Sequence, residues 1–113
     1  LSFYPKNKNF KLKLTDLYTQ NKEFDKALTI LDTLKKTYVY DRKIKNAEAE
    51  ILFFRARNQE ESGLVDEALT NYDSAYALNP KDEGSLMRMI NLHINQKPYD
   101  ESLEFINKKI KKI

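Results

Sequence analysis

The sequence predicts an all-α fold, a solenoid of stacked antiparallel helix hairpins, and three observations carry that prediction. A short phrase occurs three times, as Phe24-Asp25-Lys26-Ala27-Leu28, Val65-Asp66-Glu67-Ala68-Leu69 and Tyr99-Asp100-Glu101-Ser102-Leu103, with starts 41 and 34 residues apart. A period in this range marks supersecondary units that stack and bury their apolar faces jointly. Around each copy, apolar residues recur at spacings of three and four, the periodicity of one helix face. Composition agrees: of 113 residues only 2 are Gly and 3 are Pro, while 41% are hydrophobic and 33% charged, which permits half-buried helices and argues against a disordered chain.

The elements follow in order. Leu14, Leu17 and Tyr18 share the apolar stripe of a first helix, Asn21-Lys22-Glu23 turns the chain, and Phe24, Ala27, Leu31 and Leu34 face inward from a second. The longer first spacing leaves seven extra residues within Asp41 to Glu48. Arg42 to Glu50 contains no Gly or Pro, so one long helix is expected from Asp41 to Gln59 or beyond, with Asp41 as its N-cap. Seven residues add about 10 Å and rotate the face by only about 20°, and the first two turns are expected to project as a ledge. A longer loop is the competing reading.

Leu52 and Ala56 lie on the stripe of this helix, which Ser62-Gly63 ends. Ala68, Tyr72, Ala75 and Leu78 form the next, stopped by Asn79-Pro80. Leu86, Met89, Ile90 and His93 follow, then a turn at Gln96-Lys97-Pro98, where Pro98 suits a first helical turn because its missing N–H has no partner there. Leu103, Ile106, Ile110 and Ile113 share the face of the last helix, and Lys108, Lys109, Lys111 and Lys112 occupy the rest, near a C-terminus whose dipole favours cations.

Leu52, Ala56, Gly63, Ala68, Tyr72, Ala75 and Pro80 stand in the order large, small, Gly, small, aromatic, small, Pro. In this the stretch from Ala49 to Asp82 resembles one complete unit of the tetratricopeptide repeat family. The same register makes residues 1–7, including Tyr4-Pro5-Lys6-Asn7, resemble the tail of a preceding repeat. Residues 8–41 then resemble a first repeat, 42–48 a helical insertion, 49–82 a second repeat and 83–113 a third, in which Ser102 and Ile106 replace the small and aromatic residues. Arg55, Gln59 and His93 depart from the pattern, standing where the family has Leu, Tyr and Tyr. Arg55 is expected to reach outward and His93 to act as a half-buried spacer.

The resemblance implies a protein–protein interaction module whose concave groove, lined by the first helix of each hairpin, holds a peptide or partner helix. Carried over by register, the groove residues are Leu12, Asp16 and Gln20, then Phe53, Arg57 and Glu60, then Met87, Asn91 and Ile94. Asn9, Thr19, Glu50, Glu61, Gly84 and Asn95 stand beside them. Leu12, Phe53 and Met87 are expected to align as an apolar strip. A carboxylate at Asp16 repels an anionic peptide end, so the family's carboxylate clamp is not expected. Two other readings stand beside this one: an architectural spacer or assembly domain for a flanking catalytic or membrane domain, and an RNA-binding helical repeat. The second lacks a basic stripe, because Asp16, Glu50, Glu60 and Glu61 stand against Arg57.

Composition narrows the chemistry. The single histidine, His93, has no partners at metal-ligand spacing, and without cysteine there is no thiol nucleophile or thiolate site. Gly63 and Gly84 are isolated, so no phosphate-binding loop is present, and no nucleophile stands with a base; neither enzymatic activity nor a cofactor or metal is expected. A net charge of +3 does not by itself imply nucleic acid. No apolar run approaches the roughly 18 residues of a membrane span, and cysteine usage leaves the compartment open between cytoplasm and periplasm. A start at Leu1 reads as an excised segment or a mature product. The uncovered face of Leu103, Ile106, Ile110 and Ile113 is expected to meet further repeats or a second copy.

Overall fold

The computed structural model describes residues 6–111; the first five residues of the expected tail, Ile113 and the side chain of Ile110 lie outside them. Six helices follow one another: α1 (Lys6–Gln20), α2 (Phe24–Thr37), α3 (Arg42–Glu61), α4 (Val65–Leu78), α5 (Glu83–Gln96) and α6 (Tyr99–Lys111). Connections of two to four residues fold each helix back along its predecessor. Each packs on the next, and α1 also touches α3. The body measures 55 × 30 × 17 Å with a radius of gyration of 15.8 Å. A compact domain of about 100 residues has a radius near 13 Å, so the helices form an elongated row.

Local chemistry explains the boundaries. The Asp41 carboxylate accepts from the backbone N–H groups of Lys43 (2.8 Å) and Ile44 (3.2 Å), satisfying donors that the first turn of α3 leaves open. The Lys8 ammonium, paired with Asp41, holds that carboxyl below its ordinary range, and the two backbone donors add to the effect. Asp82 caps α5 in the same way through the N–H of Gly84 at 2.9 Å. The turns inside the first two hairpins share another device. Glu23 N–H bonds Tyr18 C=O at 2.8 Å and Leu64 N–H bonds Gln59 C=O at 2.9 Å, closing the same helix-ending motif around a left-handed residue. That residue is Gly63 (φ 81°) in one turn and Lys22 (φ 62°) in the other.

Two buried clusters form the core. Phe24, Ala27, Leu31 and Leu34 of α2 meet Ile44 and Ile51 of α3, with Leu12 and Tyr18 of α1 packed against them. Ala56 of α3 belongs to the second cluster, with Ala68 and Tyr72 of α4 and Leu86, Met89 and Leu92 of α5. Fully burying a side chain of the size of Leu31 or Ile51 stabilises by about 1.5–3 kcal/mol. At the far end, Phe105 of α6 stacks on His93 with ring centroids 4.0 Å apart, and the buried Ser102 hydroxyl donates to His93 C=O at 2.8 Å.

Three expectations need correction. Leu14 and Leu17 do not face the core; both are exposed, and α1 buries Thr15 and Thr19 instead. Their hydroxyls donate to the carbonyls of Lys11 (2.7 Å) and Thr15 (2.8 Å), so no polar group is stranded and the residues pack as small β-branched ones. The first turns of α3 do not project as a ledge. Ile44 is buried in the first cluster, Ala47 packs against it, and Lys35 of α2 pairs with Glu48 at 3.2 Å. On α6, Leu103 is exposed as expected, but Ile106 is half-buried, so the stripe is not uniformly open.

Lys22 holds a backbone conformation that costs an L-residue about 1 kcal/mol relative to Gly. Lys22→Gly is expected to raise stability by about that amount and Gly63→Ala to lower it similarly, since an added Cβ at Gly63 meets no atom and only φ is strained. Urea denaturation midpoints check both signs. His93 yields a pH prediction. Its Nδ1 is buried without a partner among the described residues, and burial, reinforced by Lys97 and opposed by Glu101, pushes its pKa below the ordinary value. Protons therefore bind the unfolded chain first: this stability is fully present above about pH 6.5 and is lost as pH falls toward the lowered folded value. Melting temperatures at pH 7.5 and 5.5 are expected to converge in His93→Gln.

Candidate functional site

The first helices of the first two hairpins, α1 and α3, leave a groove between them. On α1 its wall is set by Leu12, Asp16 and Gln20, four residues apart and so stacked on one face. On α3 the facing wall is Asn46, Glu50, Phe54 and Arg57, again at spacings of four and three. The groove holds two adjoining hollows of about 430 and 370 Å³, both lined by Asp16, Thr19 and Glu50. A third hollow of about 380 Å³ continues past Phe53 toward Asn79 and Asp82, and Glu50 lines it too. Glu50 is thus the residue common to all three.

The groove is lined by charges of both signs, Asp16, Glu50 and Glu61 with Lys22, Lys43 and Arg57. Among the described residues no ion pair engages Asp16, Glu50 or Glu61; Asp16 accepts one hydrogen bond, from Gln20 Nε2 at 3.3 Å. Burial, and then the like charge of Asp16, push the Glu50 carboxyl above its ordinary range. The guanidinium of Arg57 lies 5.8 Å from the centre of the Phe54 ring, a cation over an aromatic face. Phe54 thus forms an aromatic part of the lining, and the rim carries the carboxylates of Asp16, Glu50 and Glu61, side-chain amides, and the cations of Lys22, Lys43 and Arg57.

The expected site residues divide. Leu12, Asp16, Gln20 and Arg57 meet in the groove, and Phe53 lines the adjoining hollow. Glu60 faces the other way: it accepts from the Tyr72 hydroxyl at 2.7 Å and sits 3.7 Å from Arg88, joining α3 to α4 and α5. Burial and the Glu60 carboxylate together push the Tyr72 hydroxyl far above its ordinary pKa, so it stays a donor. Met87, Asn91 and Ile94 are exposed on α5, outside these hollows. Leu12 and Phe53 are half-buried and line separate hollows, while Met87 is exposed on α5 outside them, so the three residues of the expected strip are not gathered in one hollow. Of the departures from the repeat pattern, Arg55 does reach outward, to Asp25 at 3.7 Å, and Gln59 accepts from Asn71 at 2.6 Å.

Phe54 and Asn46 were not among the expected groove residues. Both lie four residues from Glu50, so the helical period applied to that one residue would have found them. Comparison with protein-family models, with curated proteins and with solved structures returned no match. The likeness to tetratricopeptide repeats accordingly rests on the residues quoted above.

Tyr72→Phe removes one hydrogen bond while Glu60 keeps Arg88 nearby. A loss of about 0.5–1.5 kcal/mol in unfolding free energy is expected, measurable by urea denaturation.

Proposed function

We propose that the chain is a binding module, a solenoid of three tetratricopeptide-like hairpins whose α1–α3 groove seats an extended peptide or partner helix. The observation that carries the reading is the pair of adjoining hollows that share Asp16, Thr19 and Glu50, walled by the first helices of two successive hairpins. The elongated row of helices and the helix-ending motif common to the first two hairpins support the repeat architecture. Hollows of this volume each accept a side chain or two of a ligand. The amides of Gln20, Asn46 and Asn58 suit hydrogen bonds to a peptide backbone, and Phe54 suits an apolar or planar side chain.

Glu50 lies near the like charge of Asp16, and this pair favours a partner that brings Lys or Arg to it, while Lys22, Lys43 and Arg57 along the same rim can meet acidic groups beside that cation. The role is recruitment, with no chemical step. The test is fluorescence polarisation with peptides selected from a random library on the wild-type chain. Basic residues are expected among the selected peptides, and Asp16→Lys with Glu50→Lys is expected to weaken binding by at least about tenfold, or 1.4 kcal/mol, at unchanged melting temperature. Unchanged affinity in that double variant overturns the groove. Binding that is stronger to RNA than to any peptide, and that falls steeply with salt, overturns the partner class.

A further inference from the structure

Inside the chain, each hairpin joins the next through one kind of junction, in which a second helix covers the first helix that follows. On α5 the covered positions are Ser85, Met89 and Leu92, all buried, the last two in one cluster with Ala68 and Tyr72 of α4. On α3 they include Ile51, buried against Phe24, Ala27 and Leu31 of α2, and Arg55, which reaches Asp25 of α2. The repeat register places Phe10, Leu14 and Leu17 at the same positions on α1. Spaced by four and three, they share one face, and there Phe10 is 76% and Leu17 62% exposed. The opposite end lacks the complementary half. Phe24 of α2 is buried and Leu28 and Leu69 are half-buried, yet their counterparts on α6, Tyr99 and Leu103, are 81% and 60% exposed. Among the described residues, α1 is a seat without a cover and α6 a cover without a seat.

Charge matches as well. Asp66 at the start of α4 pairs with Lys97, just past the end of α5, at 2.7 Å. The register equivalents are Asp100 at the start of α6 and Lys22 just past the end of α1, and neither is in an ion pair among the described residues. We propose that the chain associates head to tail with a second copy of itself, α6 of one molecule covering α1 of the next as α4 covers α5. Asp100 and Lys22 then form across the copies the bridge that Asp66 and Lys97 form within one. The inference rests on the repeat architecture proposed above; it shares Lys22 with the first groove hollow, and its apolar faces on α1 and α6 lie outside the groove. Both halves of the interface are used once per molecule, so copies add head to tail beyond a dimer and assembly grows with concentration until a ring closes, if the rotation between copies closes one.

Sedimentation velocity on the full 113-residue chain tests this. Average mass is expected to rise with concentration beyond a dimer. Leu17→Glu, which spoils the seat, and Leu103→Glu, which spoils the cover, are each expected to be monomeric. An equal mixture of the two is expected to give a dimer and nothing larger, because each variant keeps the half that the other has lost. Lys22→Glu is expected to weaken assembly and Lys22→Glu with Asp100→Lys in one chain to restore it. A wild-type chain that stays monomeric overturns the proposal, as does a mixture that stays monomeric or a Leu103→Glu variant that still assembles. Peptide binding measured on the monomeric variants separates the two readings: if it persists while wild-type assembly fails, only the head-to-tail proposal falls.

Discussion

The structure depends on one helix serving two cores. Phe53 and Phe54 are neighbours in α3, and about 100° of rotation per residue sends their rings in different directions. Phe54 packs with the cluster built by α1 and α2, and Phe53 with the cluster built by α4 and α5. The rings touch edge to face with centroids 5.6 Å apart, so the two clusters meet across this pair. A single hairpin is below the roughly 40 residues at which a core commonly stands alone. Sharing α3 makes one cooperative body from units that are each too small.

The same helix positions the groove. Its wall toward α1 carries Glu50, and its wall toward α4 and α5 carries Glu60, two carboxylates with opposite fates. Glu60 is satisfied by a hydroxyl and lies near a guanidinium, and serves packing. Glu50 has burial and a like charge for company, a state that a bound cation relieves. Cross-helix ion pairs elsewhere, Lys35 with Glu48, Lys97 with Asp66 and Lys109 with Asp73, are individually weak and align hairpins more than they stabilise them.

Much of the helical plan was legible in the sequence, because the signals were local. Spacings of three and four marked the helices, Asn79-Pro80 marked a stop, and Asp41 ahead of a run without Gly or Pro marked a capped start. Side-chain direction was less legible. Thr15 and Thr19 scored as polar, yet each returned its hydroxyl to its own helix and took the core positions that Leu14 and Leu17 were expected to fill. Ile44, Ala47 and Ile51 stand at spacings of three and four, the period of one helix face, and that signal for the anchored start of α3 was overlooked beside the charged residues around it. Register placed Asp16, Gln20 and Arg57 on helix faces that line the hollows but not Glu60, because a position on one helix does not reveal that Tyr72 of another waits opposite it.

The buried threonines of α1 also bear on motion. Where α2 grips the core with Phe24, Ala27, Leu31 and Leu34, α1 contributes two small side chains and the half-buried Leu12 and Tyr18. Little apolar surface is exposed when α1 lifts away, so it opens at lower cost than α2 or α3 and its amide protons exchange sooner than theirs. Its departure removes one wall of the groove. A ligand that spans both walls therefore has to hold α1 in place, and the ordering of that helix is subtracted from whatever affinity the contacts provide.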